Sequence, residues 1–414
     1  MNHSIIRAMT NSTILVINQY YRPDVASSGQ LLAELCEFLS SSGMTIHVIT
    51  GQPSYTSDAP SVLPQEISNG VIIHRVSLGK SIGKNTLITR FSGYLKFLLR
   101  SCILASKIAR TTNPDAVMTL SNPPIVGLIG GFVAKRRKIP FIYILYDIHP
   151  EILIATKWMK IPRIIIKLWN LLNYLIFRSA GTIIVPSETM KATLVSSKSL
   201  NKDKIRVIPN WARPEIKKQL YPTSMKGTIG IPLQDIMLLY AGNIGIMQQL
   251  DPILDAACKL KNTPVHFVFI GEGEKKAELV GRVKLEGLVN VHFLPYQPEE
   301  QFAQIVLESD ACFVTLHPGL DSYSAPSRAY TFLSAGTAII TIMPKDAELA
   351  KLITSEQCGW NVTTSEQLIQ LLENLLHNRG EYVLKGNKAE SLYSGHYKNH
   401  IIMHRYLKVL KEQI

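Results

Sequence analysis

The sequence predicts an α/β protein with two doubly wound domains, each a largely parallel sheet flanked by helices. The chain has 414 residues, which exceeds what a single hydrophobic core usually supports. Short apolar runs alternate with segments of helix length, and these runs form two series along the chain. Residues that are apolar on successive positions are typical of strands buried on both faces of a parallel sheet.

A segment rich in turn residues separates the two series. The first series predicts strands at residues 14–17, 46–50, 115–120, 141–147, 181–187 and 204–210. The second predicts strands at residues 237–242, 266–273, 291–296, 311–316 and 338–342, with two helices beyond residue 362. Residues 211–232 contain three prolines and two glycines, which predicts a linker. We therefore expect a first domain at 1–212, a second at 213–390, and a C-terminal helix at 391–414 that packs back towards the first.

The composition favours a globular protein in a reducing compartment. Hydrophobic residues make up 46% of the chain, which excludes wholesale disorder. The five cysteines are odd in number, far apart, and in no spacing that suits zinc. The N-terminus has a short apolar run but no cleavage site for a signal peptide, so we expect a cytoplasmic protein.

The positive charge of the chain is concentrated in one region. Residues 80–178 carry 16 Lys or Arg and three acidic residues, which accounts for the net charge of +13. Such a field attracts polyanions, although a solvated basic face is the simpler interpretation. Two helical patterns lie in this region, at residues 87–103 and 161–178. Both contain charges that disfavour a membrane span, but a helix of this kind can lie in the plane of an anionic membrane surface.

The spacing within the first of these helices predicts two faces. Apolar residues recur at three- and four-residue steps and predict an apolar face with basic residues opposite; the apolar ones are Leu87, Phe91, Leu95, Leu98, Leu99, Cys102 and Ile103, and the basic ones are Lys96, Arg100 and Lys107. From both helices we expect peripheral attachment to the inner face of the cell membrane.

The segment 324–340 carries the clearest chemical signal. Pro326 is suited to the first turn of a helix, and Ser327 and Arg328 follow it directly. Free backbone N–H groups, a hydroxyl and a guanidinium together can bind a phosphate. The structural alternative is an ordinary capped helix between two strands.

This segment, APSRAYTFLSAGTAII, resembles the donor site of retaining glycosyltransferases of family 4, in the branch that builds bacterial surface polysaccharides. The segments 20–55, 240–257, 269–279 and 293–316 resemble other parts of that family in the same order. The resemblance implies the GT-B fold, in which two Rossmann-like domains face a central cleft. It also implies a UDP- or GDP-linked sugar as donor, a polyprenyl-diphosphate-linked or polysaccharide acceptor, retention of anomeric configuration, and no cofactor or bound metal.

The family pattern assigns donor-binding roles mainly to the second domain. Ser327 and Arg328 would hold the diphosphate. The remaining donor-binding positions would be Gly29, Asn243, Gly245, Gln248, Gly271, Glu272, Tyr296 and Thr331. The loop residues among them are equally compatible with ordinary turn chemistry.

We expect the catalytic residues in the segment 146–151 of the first domain. Asp147, His149 and Glu151 follow a predicted buried strand, and open α/β sheets place ligands at the carboxyl ends of their strands. Family members have an Asp and a Pro-Glu pair here, often with Trp before the proline. His149 takes that place, either to position a sugar hydroxyl or as a loop histidine.

At several positions this sequence differs from the family pattern, so other functions are considered as alternatives. The family's Glu-x7-Glu pair aligns with Tyr323 and Thr331, and Met247 and Gln248 stand where a basic residue is usual. A catalytically inactive homologue is therefore one alternative, and an epimerase or phosphorylase on the same fold is another. A basic nucleic-acid-binding protein is a third, but the aromatic residues of the basic region lie in apolar helices. We therefore predict no nucleic-acid partner.

Overall fold

The computed structural model describes residues 12–24, 26–53, 62–77, 87–156, 161–219 and 221–414, with the backbone alone for 87–92. It contains two sheets, one in each half of the chain. The first has eight strands in the order β3-β4-β2-β1-β5-β6-β7-β8. They are β1 (Thr13–Ile17), β2 (Thr45–Gly51), β3 (Gln65–Ser68), β4 (Val71–Val76), β5 (Ala116–Leu120), β6 (Phe141–Ile144), β7 (Thr182–Val185) and β8 (Ile205–Val207).

All neighbouring strands of this first sheet are parallel except β3 and β4, which form a hairpin. Asn69 and Gly70 connect them, with φ angles of 48° and 79°. Both lie in the left-handed region that a two-residue hairpin turn requires, and Asn-Gly is the favoured pair there.

The second sheet has six strands in the order β11-β10-β9-β12-β13-β14, and all its neighbours are parallel. The strands are β9 (Ile236–Ala241), β10 (Val265–Ile270), β11 (Val291–Leu294), β12 (Ala311–Thr315), β13 (Ala338–Ile342) and β14 (Gly359–Val362). Every residue of β9, β12 and β13 is buried, which explains their continuous apolar sequence.

The helices cover both faces of the two sheets. Those of the first half are α1 (Ser27–Ser41), α2 (Leu87–Thr112), α3 (Gly127–Arg137), α4 (Glu151–Ala155), α5 (Arg163–Ser179) and α6 (Glu188–Lys198). Those of the second are α7 (Met225–Ile229), α8 (Asp251–Lys259), α9 (Lys276–Glu286), α10 (Glu299–Glu308), α11 (Arg328–Ala335), α12 (Glu348–Ser355), α13 (Ser365–Leu376), α14 (Gly380–Leu392) and α15 (Asn399–Gln413).

The two faces of the first sheet differ in what covers them. On one face, α1 and the C-terminal helix α15 share a core that includes Cys36, Ile402 and Tyr406. On the other face, α2, α3 and α5 pack on β1, β5 and β6 through residues such as Phe97 and Ile176. The helix at the end of the chain thus belongs to the core of the first sheet.

The connection between the two sheets is anchored on both sides. The Trp211 indole N–H donates to Glu34 Oε2 at 2.7 Å, and Arg213 Nε pairs with Glu34 Oε1 at 3.0 Å, which ties the linker to α1. The backbone N–H of Arg213 donates to Thr331 Oγ1 at 3.1 Å, which ties it to α11. Burial raises the pKa of Glu34, while the Trp211 hydrogen bond and nearby Arg213 oppose that shift.

The predicted strands are all present, but three strands were not foreseen: β3, β4 and β14. The predicted faces of α2 are wrong. Leu95, Leu99 and Ile103 are 50%, 60% and 73% exposed, on the same side as Lys96, whereas Phe97 is buried. These apolar residues therefore lie at the surface beside the basic residues, and not on the opposite side of the helix as the spacing predicted.

Candidate active site between the domains

The segments that follow the carboxyl ends of β6 in the first sheet and β12 in the second sheet meet at a cleft between the two domains. The segment after β6 and the segment before α11 pair directly: Ser324 Oγ donates to Asp147 Oδ1 at 2.6 Å, and the Ile148 N–H donates to the Tyr323 carbonyl at 2.9 Å. A cavity of about 330 Å³ lies beside this contact, lined from both domains by Ser187, Asp321, Ser324, Glu348, Arg405 and others. The two sequence segments singled out for chemistry are thus brought together.

Two loops of the second domain lie against each other with little space between their backbones. A Cβ on Gly271 would lie 1.9 Å from the Gly242 carbonyl oxygen, and one on Gly273 would lie 2.2 Å from that of Ile244. Backbone hydrogen bonds join the loops, from the Ile244 N–H to Glu272 at 2.9 Å and from the Lys275 N–H to Ile244 at 3.0 Å. Glycine is required here because any side chain would separate the loops.

The other predicted residues of these loops differ in exposure. The Gly245 Cα faces Asn243, whose amide nitrogen would lie 2.3 Å from an added Cβ. Gln248 Oε1 is buried with no hydrogen-bond partner among the described residues. Glu272 is exposed and pairs with Lys276 at 2.6 Å, and Tyr296 is 69% exposed. Their contacts with a donor stay predictions.

Arg328 opens α11 with a partly buried side chain. Its Nη1 donates to the Arg213 carbonyl at 3.3 Å, and its Cζ lies 5.1 Å from the centre of the Phe302 ring. Burial lowers the pKa of Arg328, and the positive charge of Arg213 lowers it further. Among the described residues no carboxylate pairs with Arg328. Within the described residues the cation therefore lacks a carboxylate partner, and it contacts a carbonyl and an aromatic ring.

Ser327 precedes Arg328 at the N-terminal boundary of α11, and its side chain makes no capping hydrogen bond. The hydroxyl is therefore free to bind a ligand at the same helix end. Helix N-termini bind phosphates through their unpaired N–H groups.

The geometry does not support the predicted contact of Thr331 with the donor. Its side chain is 1% exposed, and its hydroxyl donates to the Arg213 carbonyl at 3.0 Å while accepting from the Arg213 N–H. The linker thus takes the hydroxyl proton and one of the two oxygen lone pairs. Thr331 therefore holds the linker against α11.

Gly29 lies in the first turn of α1, against the segment that follows β1. A Cβ at this position would lie 2.8 Å from the carbonyl carbon of Tyr20. The absence of a side chain is therefore needed for packing within the first domain. Any contact with the donor is additional to that role and stays a prediction.

The three residues predicted to be catalytic have different environments. Asp147 contacts the second domain through Ser324. Burial lowers the pKa of His149, while Asp147 and Glu151 oppose the shift, so a neutral imidazole is favoured. Glu151 begins α4 and forms an ion pair with Lys198 of α6. Asp147 is therefore at the domain boundary, whereas Glu151 is held within the first domain.

Several residues of the site were not predicted from the sequence. Trp169 and Asn173 of α5 contact His149, and Lys198 binds Glu151. Arg213 and Phe302 flank Arg328. These residues lie far from the motifs along the chain, and the polar residues within the otherwise apolar α5 were the only available signal. In the described part of the chain, no group of three His, Cys, Asp or Glu side chains is arranged to hold a metal ion.

Comparison with known families divides the chain at the linker. Residues 28–215 match the family model Glycosyltransferase Family 4, and residues 223–393 match Glycosyl transferases group 1. The chain is 26% identical over 289 residues to the probable glycosyltransferase WbjE of Pseudomonas aeruginosa, across 67% of this chain and 69% of that protein. It is 23% identical over 349 residues to the putative colanic acid biosynthesis glycosyl transferase WcaI of Escherichia coli K12, across 79% and 83%.

Solved structures share the two-domain architecture. Sucrose-phosphate synthase from Thermosynechococcus elongatus superposes with a TM-score of 0.74 at 15% identity, over 97% of this chain and 98% of that one. HepE of Anabaena in complex with UDP-glucose superposes with a TM-score of 0.72 at 13% identity, over 97% and 99%. These matches confirm the fold that the sequence resemblance implied.

Proposed function

Because the chain is a glycosyltransferase of family 4 with the GT-B fold, we propose that it transfers a sugar from a UDP- or GDP-sugar to a lipid-linked glycan acceptor, with retention of configuration. The related WcaI is named for the biosynthesis of a polysaccharide, colanic acid, and HepE binds UDP-glucose. Surface-polysaccharide synthesis is therefore the process that we assign to this chain.

The observation that carries the donor assignment is the partly buried charge of Arg328, which has no carboxylate partner among the described residues. A buried cation without a counter-ion is costly, and a bound diphosphate would remove that cost. Ser327 and the free N–H groups of α11 lie at the same helix end. The leaving diphosphate would be stabilised there by a fixed cation and a helix dipole.

Replacing Arg328 tests this assignment. We expect Arg328→Ala to weaken binding of UDP or GDP by ~1.5–3 kcal/mol, the range for a charge-assisted contact in a buried site. Titration calorimetry measures the affinity, and Arg328→Lys should retain part of it. Equal affinity of wild type and Arg328→Ala for both nucleotides would remove the donor assignment.

The acceptor side of the proposal rests on the surface of α2 and α5. On α5, Ile164, Leu168, Leu171 and Leu175 form one exposed stripe, between 46% and 73% accessible. Arg163, Lys167 and Arg178 flank it. In the same helical layer Leu95, Leu99 and Ile103 of α2 are exposed beside Lys96 and Lys107. Apolar side chains that can enter the headgroup region, bordered by cations, fit an anionic membrane surface.

Docking of this layer would place the cleft near a polyprenyl-linked acceptor on the inner face of the cell membrane. Within the described part of the chain, no helix is both long and apolar enough to cross a bilayer. Attachment is proposed through the exposed surface of α2 and α5.

Replacing basic residues on the exposed surface of α2 and α5 tests membrane docking. Each basic residue near an anionic surface contributes about 1 kcal/mol, so replacing Lys96, Lys107 and Lys167 by Gln should weaken binding to phosphatidylglycerol vesicles roughly 100-fold. Sedimentation with the vesicles measures this.

A matched control carries the same three-charge loss outside the layer, as Lys284→Gln, Lys351→Gln and Lys411→Gln. It should keep most of the vesicle affinity. A wild-type protein that ignores vesicles at low salt but binds duplex RNA tightly would instead support the nucleic-acid alternative.

A further inference from the structure

Helix α5 has two functional faces. Its outer face is the apolar stripe described above. Its inner face carries Trp169, Asn170 and Asn173, of which Asn173 is 5% exposed. At 3.6 residues per turn these three positions share the side of the helix opposite the apolar stripe. They lie over the segment that contains His149 and Glu151.

The contacts of the inner face all reach the predicted catalytic segment. Asn173 Nδ2 donates to the His149 carbonyl at 2.6 Å. The Trp169 and His149 rings stack with centroids 5.8 Å apart and planes inclined by 25°. Asn170 Oδ1 accepts at 2.7 Å from Lys198 Nζ, which also pairs with Glu151. One helix therefore contacts two of the three predicted catalytic residues, His149 directly and Glu151 through Lys198.

Three atoms of this cluster are buried but have no hydrogen-bond partner among the described residues. They are His149 Nδ1, Glu151 Oε2 and Trp169 Nε1. Buried polar groups are normally paired, and exceptions concentrate where function requires them. The orientation of His149 thus depends on one backbone hydrogen bond and one ring contact, both supplied by α5.

We propose that Trp169 and Asn173 are positioning residues that couple membrane docking of α5 to the arrangement of His149 at the cleft. The inference rests on the membrane docking proposed above. A helix moves largely as a rigid body, so fixing its outer face at a lipid surface also fixes the residues on its inner face. Docking then orders the segment 146–156, so that His149 is held in position when the acceptor binds.

Hydrogen–deuterium exchange tests the coupling without knowledge of donor or acceptor. In wild type, phosphatidylglycerol vesicles should slow amide exchange in peptides covering 163–179 and also in those covering 146–156, by about fivefold or more in the second segment. In Asn173→Ala and Trp169→Ala, exchange in 163–179 should still slow, whereas 146–156 should no longer respond.

Two further variants separate positioning from general damage. Trp169→Phe keeps an aromatic ring against His149 and should retain the response of 146–156. Replacing Leu168 and Leu171 by Asn alters the outer face alone, and should abolish the response in both segments. Unchanged exchange in β1 and β5, and unchanged UDP affinity, would show that each variant is folded and that the donor site is intact.

The possible outcomes distinguish the two proposals. Slower exchange in 163–179 without any change in 146–156 of wild type would overturn the coupling and leave membrane docking standing. No response in either segment would overturn both. An equal response of 146–156 in wild type, Asn173→Ala and Trp169→Ala would remove the assignment of these residues.

Discussion

The two domains form their sides of the cleft with different parts of the chain, one with backbone and the other with side chains. The second domain forms its side with backbone: glycines allow the loops at 242–245 and 271–275 to touch, and a helix begins at Arg328. The first domain forms its side with side chains, because His149 and Glu151 are held by residues of α5 and α6. Both arrangements join segments that are distant in sequence, but the second domain joins them through backbone atoms and the first domain through side chains.

This difference determines how each half responds to substitution. Backbone that is packed against backbone cannot relax around an added atom, so a small change there has a large effect. A side chain held by a single hydrogen bond can be lost with a smaller effect on folding, although its orientation changes. Variants of the two halves should therefore separate stability from function.

The largest effect is expected at Gly271. Gly271→Ala places a Cβ 1.9 Å from the Gly242 carbonyl oxygen, at a φ of 151° that other residues rarely adopt. Overpacking together with backbone strain should lower the free energy of unfolding by about 3 kcal/mol or more. Urea denaturation measures this loss, and UDP binding should weaken with it because the two loops separate.

Gly281→Ala is the matched control. Gly281 lies within α9, and nothing lies within 4 Å of an added Cβ. Alanine has the higher helix propensity, so this variant should raise the free energy of unfolding by about 0.5–1 kcal/mol. Similar destabilisation by both substitutions would contradict the close packing of the two loops.

A smaller effect is expected from pH, because the histidine pairs of the two sheets have different surroundings. Each sheet carries a histidine pair with ring nitrogens 3.1 Å apart, His47 with His74 and His266 with His292. Burial, assisted by His47, lowers the pKa of His74 to about 4. In the second domain Asp235 Oδ2 lies 3.0 Å from His266 Nε2, so a carboxylate is available to that pair.

His74 is neutral in the folded chain but protonated in the unfolded chain below its ordinary pKa of 6.5. The unfolded state then binds more protons, so stability should fall as the pH drops from 6.5 towards 4. Amide exchange at pH 7 and pH 4.5 should show β4 losing protection more than β11. His74→Thr should reduce that loss, and an unchanged loss would show that other groups cause it.

Much of the fold was accessible from the sequence because buried parallel strands are apolar at successive positions. The runs at 237–242 and 338–342 are of this kind, and both are strands. The strand β4 was missed because half-buried His74 and charged Arg75 interrupt its apolar pattern. The Asn69-Gly70 pair was a signal that could have identified its hairpin.

The faces of α2 illustrate the limit of periodicity. Helical spacing identifies residues that share a face, but it does not say whether that face meets a sheet or the solvent. Phe97 and Ala105 were placed in the core by the position of the sheet, while Leu95 and Leu99 remained outside. The sequence predicted membrane attachment through this helix, and the tertiary structure decided which of its apolar side chains are exposed.

By itself the sequence determined the two-domain fold, the order of its strands along the chain, and the Ser327-Arg328 motif at a helix start, because these depend on local patterns. Tertiary structure alone decided that Arg328 has no carboxylate partner among the described residues and that Thr331 binds the linker. It also decided that Trp169 and Asn173 hold His149. Burial and charge pairing depend on residues distant in the chain, and only folding brings those residues within reach.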